Sequence, residues 1–212
     1  MDVNFAEGPD DLITWLASDP GFMRRASHAL VADGQTWLVD PVDHPAVRAR
    51  LADLPPVAGV LQLLDRHSRD CAAMAAWLAV PLHMMPSVPI VGAPFDVVVV
   101  RAGRVGIESA LWWPQRKCLV VAEMLGTASY FCAPGQRVGV HPFARISPPW
   151  MLRGYPAAHL LMGHGTPVHD SAAGAMADAA ITHARGSSPR WALSLLTGAV
   201  RRRDRDAPNL LR

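Results

Sequence analysis

The chain has 212 residues, 50% of them hydrophobic and 18% charged, with a formal net charge of +2. This composition excludes an intrinsically disordered chain and provides for a substantial core. The charge is too small to argue for nucleic acid, and no apolar run approaches the roughly 20 residues of a membrane span. The three cysteines, Cys71, Cys118 and Cys132, are odd in number and show no CxxC spacing. They read as buried thiols of a cytoplasmic protein rather than a disulfide framework. The acidic start MDVNFAEGPDD has neither the basic nor the apolar region of a signal peptide.

In chain order, residues 9–18 (PDDLITWLAS) predict a short amphipathic helix, with Leu12, Trp15 and Leu16 on one face. Residues 27–40 predict a hairpin in which Ala29-Leu30-Val31 and Trp37-Leu38-Val39 pair across Asp33-Gly34. A helix over 44–53 follows, opened by Pro45. Then comes the unit that carries the chemistry: strand 57–64, polar loop 65–70, Ala-rich helix 71–79 and short strand 81–84. After a Pro-rich passage, Phe95–Arg101 predicts a strand buried on both faces. Strands over 107–113 and 117–122 flank the turn Pro114-Gln115-Arg116. Residues 124–157 are irregular, His159–Met162 is a last short strand, and helices are expected over 168–185 and 189–200. Residues 1–200 read as a single domain and 201–212 as a disordered Arg-rich tail. Strands with helices between and after them suit two packed sheets clad by helices, a four-layer αββα sandwich within the α/β (α+β) class.

Four segments in this order resemble the metallo-β-lactamase fold of metal-dependent hydrolases. Trp37–Pro41 resembles the strand ending in a structural Asp, and Val60–Asp70 the strand and loop of the HxHxDH motif. Leu119–Glu123 resembles the strand ending in the bridging carboxylate, and Met162–Pro167 the GHG segment with the last ligand. The motif is degenerate. Laid over HxHxDH the chain has Asp65, Arg66, His67, Ser68, Arg69 and Asp70, and the usual middle His has no counterpart near Arg104–Glu108. The bridging Asp is Glu123. The resemblance implies a hydrolase-like protein with at most one metal, zinc or else manganese or iron, on Asp65, His67, Glu123 and His164. Arg69 would stand where a second cation belongs, pairing with Asp70 or Glu123, and Asp70 would be the base for water. The substrate would be a small ester, lactone, thioester or phosphoester. A metal-free relative that binds a small ligand or a protein is the alternative, and a nucleic-acid role for the tail a weaker third.

Bland roles compete at each position. Asp70 or Ser68 can cap helix 71–79. His67 can be a hydrogen-bonded loop histidine, Glu123 can pair with Arg66 or Arg69, and Asp40 can satisfy loop donors. The glycines beside His164 allow tight turning there. Glu108 reads as exposed or paired. Of Trp112 and Trp113, one belongs to the core and the other to a pocket wall. The remaining histidines are background, with His169 a candidate neighbour of the ligands.

Overall fold

The structure, a computed structural model, describes residues 2–18, 23–103 and 106–196. The first half builds a six-stranded sheet from β1 (Val3–Phe5), β2 (Leu12–Ala17), β3 (Ala26–Ala32), β4 (Gln35–Val39), β5 (Val57–Gln62) and β6 (Leu82–Met84), in that order. Helix α1 (Pro45–Ala52) connects β4 to β5 and α2 (Cys71–Leu78) connects β5 to β6, so these three strands run parallel. The second half contains β7 (Asp96–Gly103), β8 (Gly106–Trp113), β9 (Cys118–Val121), the short ladder of β10 (Leu125–Gly126) with β11 (Gly139–Val140), β12 (His159–Met162) and β13 (Val168–His169). Its five-stranded sheet has the order β13-β12-β9-β8-β7, with β9 and β12 parallel. Helices α3 (Ala173–Thr182) and α4 (Ala184–Leu196) follow.

Strict alternation along the strands divides the core into layers. Trp37, Val39 and Leu61 of one sheet meet Leu111, Trp113, Cys118, Val120 and Leu161 of the other. The opposite side chains, Leu38 and Val60, pack beneath Val47, Leu51, Cys71 and Met74 of α1 and α2. On the far side, Leu119, Val121, Leu160 and Met162 pack beneath Ala173, Ala177, Ala180 and Ile181 of α3. This is the expected four-layer αββα sandwich, and the hairpin takes the expected register, with Ala29 opposite Leu38 and Leu30 opposite Trp37.

Three expectations need correction. Residues 12–17 form a strand, not a helix: all six are buried, with Ile13 and Trp15 under the helical layer and Leu12 between the sheets. A one-sided helix cannot bury both of its faces. β7 is an edge strand, and Val99 is 44% exposed rather than buried. The segment 168–185 begins with β13 before α3 starts at Ala173. Trp113 belongs to the core between the sheets, while Trp112 packs on Tyr155 at a 5.1 Å ring separation. The cysteines are buried. No helix among the described residues is long and apolar enough to cross a membrane. The tail 201–212 and the end of the last predicted helix lie outside the described residues.

Four strand ends set the stage for the site. β4 stops at Asp40, β5 continues into the 65–70 loop, β9 runs on to Glu123, and β12 runs on to His164. Isolated bridges between Arg25 and His164 and between Leu64 and Glu108 join the two sheets at this rim. Ligands collect at strand ends in such sheets because the loops there are free to diverge.

Candidate metal centre at the strand ends

Asp40 takes a left-handed backbone conformation, φ +43°, which turns its carboxylate back over the end of the sheet. Leu63 N–H donates to Asp40 Oδ1 at 2.8 Å. The His67 ring meets Asp40 Oδ2 through Nδ1 at 2.9 Å. With Nδ1 carrying the proton, His67 presents the lone pair of Nε2 outward. That Nε2 lies 3.2 Å from Nε2 of His164. Phe131 stacks on the other side of His164, ring centres 5.5 Å apart and planes 25° from parallel. Glu123 completes a buried group in which one donor atom from each of His67, Glu123 and His164 lies within 4.8 Å of the others.

The glycines around His164 are required by contact. A Cβ on Gly163 would lie 2.3 Å from the Ala122 carbonyl oxygen and 2.9 Å from Cε1 of His67. Gly165 has φ +93°, and a Cβ there would strike Thr127 Oγ1 at 2.3 Å. We expect Gly163→Ala to lower unfolding free energy by about 2 kcal/mol, as overpacking does. It should also displace the His67 ring, read as a changed His67 resonance in NMR, with the rest of the spectrum retained.

Around this trio stands a ring of charge. Arg66 Nη2 donates to Glu123 Oε2 at 2.5 Å, with the Arg66 side chain half-exposed. Glu108, fully buried, accepts the N–H groups of Glu123 and Met124 on Oε1 at 2.8 and 3.0 Å. Burial pushes its carboxyl up to about 7 against the pull of those two N–H donors. Arg101 Nη2 is 3.8 Å from Glu108 Oε2. His141 is buried, and its ring lies 5.5 Å from Phe131 and 5.9 Å from Tyr130. Burial first, and then the charges of Arg66, Arg101 and Arg145, hold it below the usual imidazole range against Glu123. Burial, and then Glu123, raises the Tyr130 hydroxyl.

Of the residues expected at the site, the structure brings His67, Glu123 and His164 together. Asp65 is directed elsewhere: its Oδ2 accepts the N–H of Ile107 at 3.1 Å, closing the loop onto β8. The backbone at Asp65 pairs with the same residue, and its side chain is not part of the group that His67 forms with Glu123 and His164, despite the alternation. Asp70 stands at the N-cap position of α2 but makes no side-chain bond to it, and it is not part of the trio; its Oδ2 accepts Asp43 N–H at 2.8 Å. Arg69 binds no carboxylate directly. Its guanidinium donates to the carbonyls of Ala26, Asp40 (2.9 Å) and Gly163 (2.8 Å) and to Ser27 Oγ, and burial lowers its pKa. Asp40 satisfies a loop donor as expected, and holds His67 as well. Of the two readings of Glu108, exposed or paired, the structure shows the second: it is wholly buried and paired with two N–H groups and Arg101. His169 turns to His159, 3.0 Å away. Sequence reasoning missed Tyr130, Phe131 and His141. The available signal was two aromatics and a histidine in a Pro- and Gly-rich passage, which has no periodicity to direct attention.

The donor set fits one small cation. Two imidazole nitrogens sharing a tetrahedral zinc at about 2.0–2.1 Å each lie about 3.3 Å apart, close to the 3.2 Å between His67 and His164. The carboxylate behind His67 is the usual support for such a ligand, and Glu123 provides an anionic oxygen.

No family model and no curated protein matches the chain. Solved structures do. The DIM-1 metallo-beta-lactamase exposed to ceftazidime superimposes with a TM-score of 0.56 at 10% identity, over 89% of this chain and 97% of that one. The metallo-beta-lactamase from Pontibacter korlensis gives 0.58 at 10% identity, over 89% and 99%. TMB-1 gives 0.56 at 11% identity, over 90% and 98%.

Proposed function

We propose that this chain, which has the metallo-β-lactamase fold, is a hydrolase-like protein working with a single metal ion on His67, His164 and Glu123. One observation carries the reading: two buried imidazoles from distant parts of the chain face each other through Nε2 at 3.2 Å, one of them backed by a carboxylate. Zinc suits two His and a carboxylate best, with manganese or iron as further candidates. When bound, such an ion supplies Lewis acidity toward a carbonyl or phosphoryl oxygen and makes water acidic. The substrate class is an ester, lactone, thioester or phosphoester.

The chain's own residues then have distinct tasks. Asp40 fixes the tautomer and ring angle of His67. Phe131 restrains His164 by stacking. Glu108 holds the backbone of Glu123 and Met124. Tyr130, Phe131 and His141 pack ring against ring, with Phe131 against His164, and place aromatic surface beside the trio. His141 Nδ1 accepts the N–H of Phe143 at 3.3 Å, so a proton on this neutral ring sits on Nε2.

Elemental analysis of purified protein tests the reading. We expect about one equivalent of zinc, manganese or iron per chain, lost when His67→Ala and His164→Ala are combined. No uptake after incubation with any of the three would overturn it. That outcome favours a metal-free ligand-binding relative, whose support is the 2.5 Å contact by which Arg66 already gives Glu123 a counter-charge.

A further inference from the structure

Charged groups converge beside the trio. A Cβ on Gly106 would lie 3.2 Å from both Arg66 Nη1 and Arg101 Nη2, so two guanidinium groups converge on one point. Three carboxylates surround them: Glu123 on Arg66 at 2.5 Å, Glu108 near Arg101 at 3.8 Å, and Asp65, whose charge also acts on Arg66. Arg69 and Asp40 lie behind His67 and offset one another. Among the described residues, two cations thus face three carboxylates without metal, and Glu108, pushed up to about 7 by burial, carries only part of its charge, so these groups together have no net positive charge. A dication on His67, His164 and Glu123 makes the same groups net positive, by at least one charge, in a largely buried place. It also draws on Glu123, the carboxylate on which Arg66 rests. Arg66 is half-exposed, so a ligand can approach it from solvent, while Nε and Nη2 of Arg101 are enclosed and lack a hydrogen-bond partner, which leaves donors unanswered behind it.

Resting on the single-metal reading, we infer that Arg66 and Arg101 form a receptor for an anionic group of the substrate, a carboxylate or a phosphate, which binds once the metal has taken charge from Glu123. A guanidinium fork accepts such a group through two parallel hydrogen bonds. The metal-free protein, with Arg66 committed to Glu123 and no net positive charge among the described groups, binds it weakly. The substrate is therefore an acidic ester or related compound whose anionic group sits beside the bond that breaks.

Sulfate serves as the probe, titrated by calorimetry at low ionic strength into the full chain with and without zinc. We expect zinc-loaded protein to bind sulfate at least tenfold more tightly than metal-free protein. Arg66→Gln with Arg101→Gln should lose at least tenfold of that affinity at unchanged zinc content. Arg66→Lys with Arg101→Lys, which keeps charge without the fork, should fall between them, and circular dichroism checks that each variant is folded. Equal sulfate affinity in the loaded wild type and the Gln double variant would overturn the inference, because the anion would then be held by the metal alone. Equal affinity with and without zinc would overturn it as well. A wild type that takes up no zinc brings down the metal reading and the inference together, and elemental analysis rather than the titration reveals that case.

Discussion

Arg69→Ala should destabilise the protein by about 2–4 kcal/mol, the range for removing a charged donor from several enclosed acceptors. The residue is half-buried as a whole, but its guanidinium end points inward. There it links the carbonyls of Ala26 at the start of β3, Asp40 at the end of β4, and Gly163 at the end of β12. Those three carbonyls come from both sheets, so one side chain ties the rim together directly beneath His67. Alanine leaves the three oxygens without their cation and opens a void. Arg69→Lys should recover only part of the loss, since one ammonium cannot span the same acceptors as a planar fork. Urea unfolding at pH 7.5 measures both variants. A change under about 0.5 kcal/mol, the scale of ordinary surface substitutions, would show that the rim holds without Arg69.

The second large effect is a dependence on pH set by His28. The residue is buried; its Nδ1 meets Thr14 Oγ1 at 2.8 Å and its Nε2 meets the Met162 carbonyl at 3.2 Å. The ring is neutral, donating from Nε2 across the sheet interface and accepting at Nδ1. Burial chiefly, then the charges of Arg69 and His169 against that of Asp40, pushes it down to about 3. The unfolded chain protonates His28 near 6.5, well above the folded protein, so the unfolded state binds more protons between those limits. Stability from this group is complete above pH 6.5 and is lost as pH falls toward 3. At about 1.4 kcal/mol per pH unit the total is of order 5 kcal/mol. His28→Gln should cost about 1–3 kcal/mol at pH 7.5, through imperfect pairing of Thr14. It should also lose one proton's worth of slope between pH 4 and 6. Parallel stability–pH curves for the two proteins would remove His28 as the acid-sensitive group.

Much of the fold was legible because its signals are local. Asp33-Gly34 between alternating apolar residues specified the hairpin, and Ala-rich runs after polar loops specified α2 and α3. The apolar stretches 57–64 and 117–122 identified strands of a buried layer. The errors came where burial depends on partners. Leu12–Ala17 carries apolar residues at spacings that suit a helix, and only two flanking layers make it a fully buried strand. Val97–Val100 reads as a central strand, and only the sheet order makes it an edge.

The site divides along the same line. The resemblance to the metallo-β-lactamase pattern marked Asp65, His67, Glu123 and His164 as ligands, and the polar turn and the glycine-flanked histidine stood out against apolar strands. Direction could not be read from type. Asp65 and Asp70 bond to the N–H groups of Ile107 and Asp43, backbone donors supplied by segments folded against the loop. Arg69 reaches carbonyls contributed by three strands. Local propensity acts over a few residues, so the chain's own order determined its strands, its helices and its pool of ligating side chains. Which of those side chains met, and which were spent on backbone, was decided only when two sheets closed at one rim, where each donor and acceptor had to find its partner out of water.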